Sequence, residues 1–385
     1  MPDGFVLAPH SQERVAEHTK RQARRIDPAL VIVITATLLF LVLFDRPLAV
    51  GDGLAYLIWL DSIALDGDLD LSNQAHKYAA VNTYHIYLNP ETGRWASAFP
   101  LGIALLLTPF YWLGAILDTL PFFRVNDAHF VGIQGVPLAY SFSFMIGVNL
   151  YALLTSVLAT LSARRFARPW AAAGATIATF VGTPLLFYAS VDPLNSHIAG
   201  AFAATLFVYL WLRARDRTLD RTRDGALPWL WVGLAAGLMA VCRWQVALIA
   251  LPVGVELLAR RRWREVLALG TGFLLLAWII PYSWWQMYGR LALLPSAQGD
   301  TNLGLIAPIH TLRVLFSPVS GLFPWSPIVV LALVGLWPLA RRDRALALNL
   351  ALMFLLQALV NGSVRDWWAG VGFGMRRMAE LYPVY

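Results

Sequence analysis

The sequence predicts an all-α integral membrane protein of about nine transmembrane helices, and three observations predict it. Of its 385 residues, 58% are hydrophobic and only 14% are charged, where a soluble domain carries about a quarter charged residues. The apolar residues are gathered into long uncharged runs of the length a bilayer requires. Many of the 16 Trp sit near the ends of those runs, the place where Trp and Tyr anchor helices at the headgroup level.

The runs fall at approximately 28–46, 98–117, 137–162, 169–191, 193–212, 226–243, 244–259, 266–285, 321–340 and 345–362. Five basic clusters punctuate them: Arg14, Lys20, Arg21, Arg24 and Arg25 in the tail; Arg164, Arg165 and Arg168; Arg213 to Arg223; Arg260, Arg261, Arg262 and Arg264; and Arg341, Arg342 and Arg344. Together they hold most of the 30 Lys and Arg. The positive-inside rule assigns all five to the cytoplasm, which requires an even number of spans between neighbouring clusters. The tail and Arg164 are separated by three runs, so one of these does not cross. Residues 98–117 carry Pro100, Pro109 and many aromatic residues, and this is the run expected to lie at the outer interface. The chain then reads as a single polytopic membrane unit over 1–385 in the cell membrane. It has a cytoplasmic tail at 1–27 leading into a signal anchor, outer loops at 47–136 and 286–320, and an outer tail at 362–385.

Composition also excludes some classes. The net charge of +7 would suit nucleic acid, but the basic residues flank apolar runs, so no nucleic-acid partner is expected. A single cysteine, Cys242, lies within an apolar run, which leaves neither a disulfide framework nor a thiol metal site.

The polar residues that can carry chemistry collect on the outer side. Asp52, within Gly51-Asp52-Gly53, follows the first run directly. The glycines permit close backbone approach to a ligand, and a partly desolvated carboxylate can act as a general base. A turn or cap residue reads equally from the spacing. Asp66, Asp68 and Asp70 alternate along Asp66-Gly67-Asp68-Leu69-Asp70 and could hold a divalent cation. Leu71 and Lys77 stand where an EF-hand loop needs Gly and Glu, so a solvated turn is the competing reading. His76, His85 and His129 share this region without a compact zinc spacing, and His85 is a candidate substrate contact. Asp192, before Pro193 and near Asn195 and His197, is either a second site acid or a helix cap. Arg243 separates two runs and either binds a phosphate or snorkels to the interface. In the tail, Trp367 and Trp368 can stack on a sugar ring or an isoprenoid chain. Gly370, Gly372 and Gly374 allow close approach there, and Arg376 can pair a phosphate. An aromatic interface anchor with flanking cations is the alternative.

Several of these segments together resemble the GT-C superfamily of membrane glycosyltransferases. Gly51-Asp52-Gly53 and Asp66-Gly67-Asp68-Leu69-Asp70-Leu71-Ser72-Asn73 are similar to its first outer loop. Phe99-Pro100-Leu101-Gly102 through Pro109-Phe110-Tyr111 is similar to the segment that follows. Phe316-Ser317-Pro318-Val319-Ser320-Gly321-Leu322-Phe323 and Trp367 to Arg376 also look like members of that group. The resemblance implies a GT-C-like fold with juxtamembrane helices in the first outer loop. It implies transfer of a sugar from a polyprenyl-phosphate carrier to a glycan, lipid or protein acceptor outside the cytoplasm. Asp52 would activate the acceptor hydroxyl, Asp192 would be a second acid, and no cofactor would be required, a divalent metal being an option at Asp66, Asp68 and Asp70. No Lys stands beside Pro100, as in aminoarabinose-transferase relatives, so that specificity is not implied. Relatives continue into further spans, so the chain ending at Tyr385 reads as a fragment or a short member. The competing class is a transporter or flippase of a lipid-linked glycan.

Overall fold

The computed structural model describes residues 27–45, 52–78, 86–127, 136–219, 225–291, 307, 309–370 and 372–384. The basic tail cluster, Gly51, His85, His129 and residues 292–306 and 308 of the expected 286–320 loop lie outside the described residues. The fold is mostly helical, with 76% helix. In chain order the helices that matter are α1 (Pro28–Phe44), α2 (Asp52–Asp61), α3 (Ser72–Lys77), α4 (Gly102–Leu117), α5 (Pro121–Asn126), α6 (Leu138–Ala163), α7 (Pro169–Val181) and α8 (Leu185–Ser190). They continue with α9 (His197–Leu219), α10 (Leu227–Cys242), α11 (Ala250–Ala259), α12 (Trp263–Ala277), α13 (Ile279–Tyr288), α14 (Thr311–Phe316), α15 (Leu322–Trp325), α16 (Ile328–Arg342) and α17 (Arg344–Gly362). Two 3₁₀ segments, Trp244–Ile249 and Arg376–Val384, complete the path.

Among the described residues four helices are long and apolar enough to cross a membrane. They are α6, α9 over His197–Arg217, the α12–α13 pair over Trp263–Tyr288, and α17. Shorter apolar helices stand beside them: α1, α4, α7, α10 and the stretch Trp244–Ala259. The helix starts follow local chemistry. Asp27 caps α1 by accepting the Ala29 N–H at 2.9 Å, with Pro28 in the first turn. Breaks in the apolar runs fall at proline: α7 ends before Pro184, and Pro327 separates α15 from α16. The outward faces are apolar too. On α12, Leu267, Leu274 and Leu275 are all more than half exposed, which suits a lipid-facing helix.

The expectation of an entirely α-helical chain needs one correction. The segment expected to form the first outer loop also holds an antiparallel hairpin, β1 (Ile86–Leu88) and β2 (Trp95–Ser97), pairing Ile86 with Ser97 and Leu88 with Trp95. Its turn closes because Gly93 takes φ 65° and donates its N–H to the Asn89 carbonyl at 2.8 Å. Thr92 Oγ1 clips that turn to the Met287 carbonyl at 2.9 Å.

Two features position the site. The first is α2, which is buried on every face from Gly53 to Asp61, so it is wedged into the core instead of floating on it. Trp59 Nε1 donates to the Phe99 carbonyl at 3.0 Å and the Tyr56 and Phe99 rings meet edge to face at 5.0 Å. The Phe99-Pro100-Leu101-Gly102 segment thereby fixes α2, and Gly102 presses on the backbone of Cys242 at the end of α10. The second is the segregation of charge along α9. At its C-terminal end Arg215 pairs with Asp343 and approaches Glu256, and Arg165 pairs with Asp216. Arg260 joins Glu256, Arg164 joins Asp27, and Arg342 donates to the Phe166 carbonyl at 3.2 Å. Four of the basic clusters expected to share one face are therefore tied together. The N-terminal end of α9, at His197, is about 27 Å away along the axis, close to the thickness of a bilayer core.

Candidate functional site

The site is built at that second end. Asp52 opens α2 and Tyr56 stands one turn further on, so both side chains lie on one helix face. The tail's 3₁₀ segment places Arg376 and Glu380 with the same four-residue spacing. The two segments meet across 324 residues of sequence: Arg376 Nη1 donates to Asp52 Oδ2 at 2.8 Å, with both side chains largely buried. The second connection runs through Ser196, just before α9. Tyr56 Oη and Ser196 Oγ are 2.8 Å apart, and Arg243 Nη1 donates to the same Ser196 oxygen at 3.0 Å. Arg243 Nε is 2.8 Å from Glu380 Oε1, which also receives His197 Nδ1 at 2.7 Å. With the Gln245 amide oxygen facing the guanidinium, Arg243 donates to it as well, at 3.1 Å from Nε and 3.0 Å from Nη2.

The energetics follow from burial. Glu380 is fully buried, and removing a carboxylate from water costs several kcal/mol. Burial acts most strongly on its pKa and raises it, but Arg243 and His197 outweigh that and leave Glu380 below the usual carboxylate range. Arg377, next to Arg376, is held by Asp366 at 3.1 Å, yet burial brings its pKa down to about 10. For Arg376 burial opposes the charge, and Asp52 restores and raises it.

Asp192 belongs to the same neighbourhood, coupled electrostatically to both Asp52 and Arg376. Burial pushes its pKa up to about 6, and the Asp52 charge adds to that against the Asn195 amide and Arg376. Asn195 Nδ2 donates to Asp192 Oδ2 at 3.3 Å. The other oxygen of Asp192, Asn195 Oδ1 and His197 Nε2 are buried and make no hydrogen bond among the described residues.

Against the sequence expectations, Asp52, Asp192, Arg243 and Arg376 are brought together. Arg243 does not snorkel; its guanidinium is spent on a buried carboxylate and a serine. Gly372 makes room for Arg376, since a Cβ there would strike Arg376 Cδ, and Gly370 takes φ 64°, a conformation that side-chain-bearing residues rarely adopt. Trp367 and Trp368 meet edge to face at 5.9 Å and Trp367 lies 6.1 Å from His310. No ring contact or hydrogen bond links them to the Asp52–Arg376 pair among the described residues. The alternating acids do not converge. Asp66 accepts from Asn73 and Gln74, Asp68 from Ser62 and the Asp70 N–H, and Asp70 from Ser72. Among the described residues no group of three or more His, Cys, Asp or Glu side chains forms a metal set. A cleft of about 730 Å³ opens elsewhere, and none of its lining residues belongs to the Asp52 cluster.

No family model, curated protein or solved structure matches the chain.

Sequence reasoning missed Glu380, Ser196 and Tyr56. Glu380 had a signal in its spacing alone, an acid four residues after Arg376 in a tail that also carries Arg365, Asp366 and Arg377. Tyr56 had one as well, four residues after Asp52. Ser196 had none, because a serine before a helix reads as a cap.

Proposed function

We propose that the chain is a GT-C-type membrane glycosyltransferase that moves a sugar from a polyprenyl-phosphate carrier to an acceptor outside the cytoplasm. The observation that carries this reading is the Asp52–Arg376 pair, 2.8 Å apart across 324 residues. A base and a phosphate-binding cation, far apart in sequence, occupy one partly buried spot, and Asp192 lies within electrostatic reach. In this reading the donor phosphate competes with Asp52 for the Arg376 guanidinium. The released Asp52 carboxylate takes the acceptor hydroxyl proton as the acceptor oxygen bonds to the anomeric carbon. The bond from that carbon to the phosphate oxygen breaks, and the electron pair leaves on the lipid phosphate beside Arg376. Arg243 and Glu380 position Arg376 and the start of α9. The leaving group is already good, so the step needs no metal.

The fuller architecture belongs to this reading: nine spans with α4 lying along the outer face. Pro109 inside α4 and the exposed Trp112 and Ile116 support that placement. A transporter would set ionisable groups near the middle of its spans. Here they gather at the two ends of α9. The test is glycosyl transfer in membranes carrying Asp52→Asn, for which a loss of about 10²- to 10⁴-fold is expected. Full activity at normal expression overturns the assignment.

A further inference from the structure

The alternating acids of the first outer loop have a use that neither metal binding nor the Asp52 site absorbs. A π-helical turn, Ser62–Asp66, ends at Gly67 with φ 73° and folds the chain back over Ser62. Each following acid is pinned through one oxygen. Asp68 Oδ1 accepts from Ser62 Oγ at 3.0 Å and from the Asp70 N–H at 3.1 Å. Asp70 Oδ1 accepts from the Ser72 N–H at 3.0 Å and its hydroxyl at 2.5 Å. The second oxygen of each has no hydrogen bond among the described residues.

Asp68 and Asp70 line the cleft of about 730 Å³ together with Arg94, Trp95, Tyr282 and Gln286, a volume suited to a small-molecule ligand or a short oligomer. The far wall is also pinned. Arg94 Nη1 donates to the Gln286 carbonyl at 2.7 Å and its side-chain oxygen at 2.9 Å. Gln286 Nε2 donates to Tyr282 Oη at 3.0 Å. Trp95 is backed edge-on by His76 at 5.9 Å, and Trp278 leans on Tyr282 at 5.6 Å. The cleft thus combines fixed carboxylates, a guanidinium with N–H groups to spare, an amide and aromatic faces.

The chemistry of these groups selects a ligand. Carboxylate oxygens and a guanidinium pair with adjacent hydroxyls, and indole and phenol rings cover the C–H faces of a sugar ring. Two acids against one Arg give no surplus of positive charge, so a phosphorylated donor does not fit. The position matters as well. Asp52 and Asp61 lie at opposite ends of α2, ten residues long, which is about 15 Å, and the cleft acids fold back onto Ser62 at the far end. A ligand that occupies the cleft and also meets Asp52 is therefore longer than a single sugar.

We propose that this cleft binds a neutral oligosaccharide, the remote end of the acceptor whose terminal hydroxyl is presented to Asp52. This rests on the glycosyltransferase reading. Binding energy collected there, away from the reacting bond, would position the acceptor. The test uses the full chain in nanodiscs, because a maltoside detergent carries a sugar of its own. The labelled protein is applied to an array of neutral and acidic glycans, and the retained glycans are titrated by calorimetry. Neutral oligosaccharides are expected to bind. Affinity is expected to fall about tenfold or more in Trp95→Ala and in Asp70→Asn, with recovery in Trp95→Phe. Gly270→Ala, whose added methyl meets open space, should bind normally. No retention above empty nanodiscs, a preference for acidic glycans, or affinity unchanged in Trp95→Ala and Asp70→Asn overturns the proposal. Undiminished transfer by Asp52→Asn overturns the catalytic reading without touching glycan binding, so the two fail separately.

Discussion

Arg376 is held in place by what its neighbours lack. Gly372 has no side chain, and a methyl group there would fall on Arg376 Cδ and lie 2.8 Å from its Nε. The Arg376 side chain would have to shift beside Asp52 to make room. On the proposed glycosyltransferase reading, Gly372→Ala is therefore expected to lower transfer about 10²-fold with normal expression, since small misplacements of reacting groups cost that much. Gly270→Ala, whose new methyl meets open space, is the control. Asp192 supplies a pH dependence. Its pKa is pushed up to about 6, chiefly by burial, so the folded chain keeps that proton to higher pH than a free aspartate. If the carboxylate is the working form, transfer rises with pH through about 6, and this limb disappears from the rate profile of Asp192→Asn. At this scale the sequence was informative where chemistry was local. Asp52 between glycines and Arg376 after three glycines could be picked out by type and spacing. Glu380 could not be assigned, because its meaning comes from His197 and Arg243, reached only through the fold.

Helix packing decides how closely the segments behind the site approach one another. The tightest crossing is between α10 and α12, where Gly233 faces the Leu269 carbonyl and Gly272 faces the Leu230 carbonyl. Small residues at such crossings let backbones touch. Gly233→Ala should cost about 1–3 kcal/mol by overpacking, read as a lower thermal midpoint in nanodiscs. Gly254→Ala, with open space around it, should leave the midpoint unchanged. The long apolar runs announced most helices, since uninterrupted hydrophobicity needs no partner to be read. The β1–β2 hairpin was not legible. Three-residue strands are too short to display an alternating pattern, and its register is held by Asn89 and Thr92 reaching Met287, nearly 200 positions away. The buried α2 was hidden for a different reason: it is too short to span, and its apolar faces look like those of a surface helix until α4 and the Phe99 segment cover them.

For the molecule as a whole, the two ends of α9 carry different electrostatics. Basic clusters are tied together at one end and the Asp52 group at the other, and this separation was foreshadowed by counting spans between clusters of arginine. It makes a topological prediction. Cys242 is the single cysteine and is fully buried, so an introduced cysteine reports alone. With a membrane-impermeant maleimide on intact cells, Trp368→Cys should label and Arg168→Cys should label only after permeabilisation. Equal labelling of both from one side would refute the assignment of faces. The pairing of Asp52 with Arg376 has a further consequence for biosynthesis. The ribosome must add 324 residues after the acid before its cationic partner exists. Glu380, which anchors the same tail to α9, is made four residues later still. A nascent chain can thus insert helix after helix while the Asp52 cluster is still unassembled. The Arg376–Val384 segment then closes it, so the cluster forms only after every described helix that precedes that segment has been made.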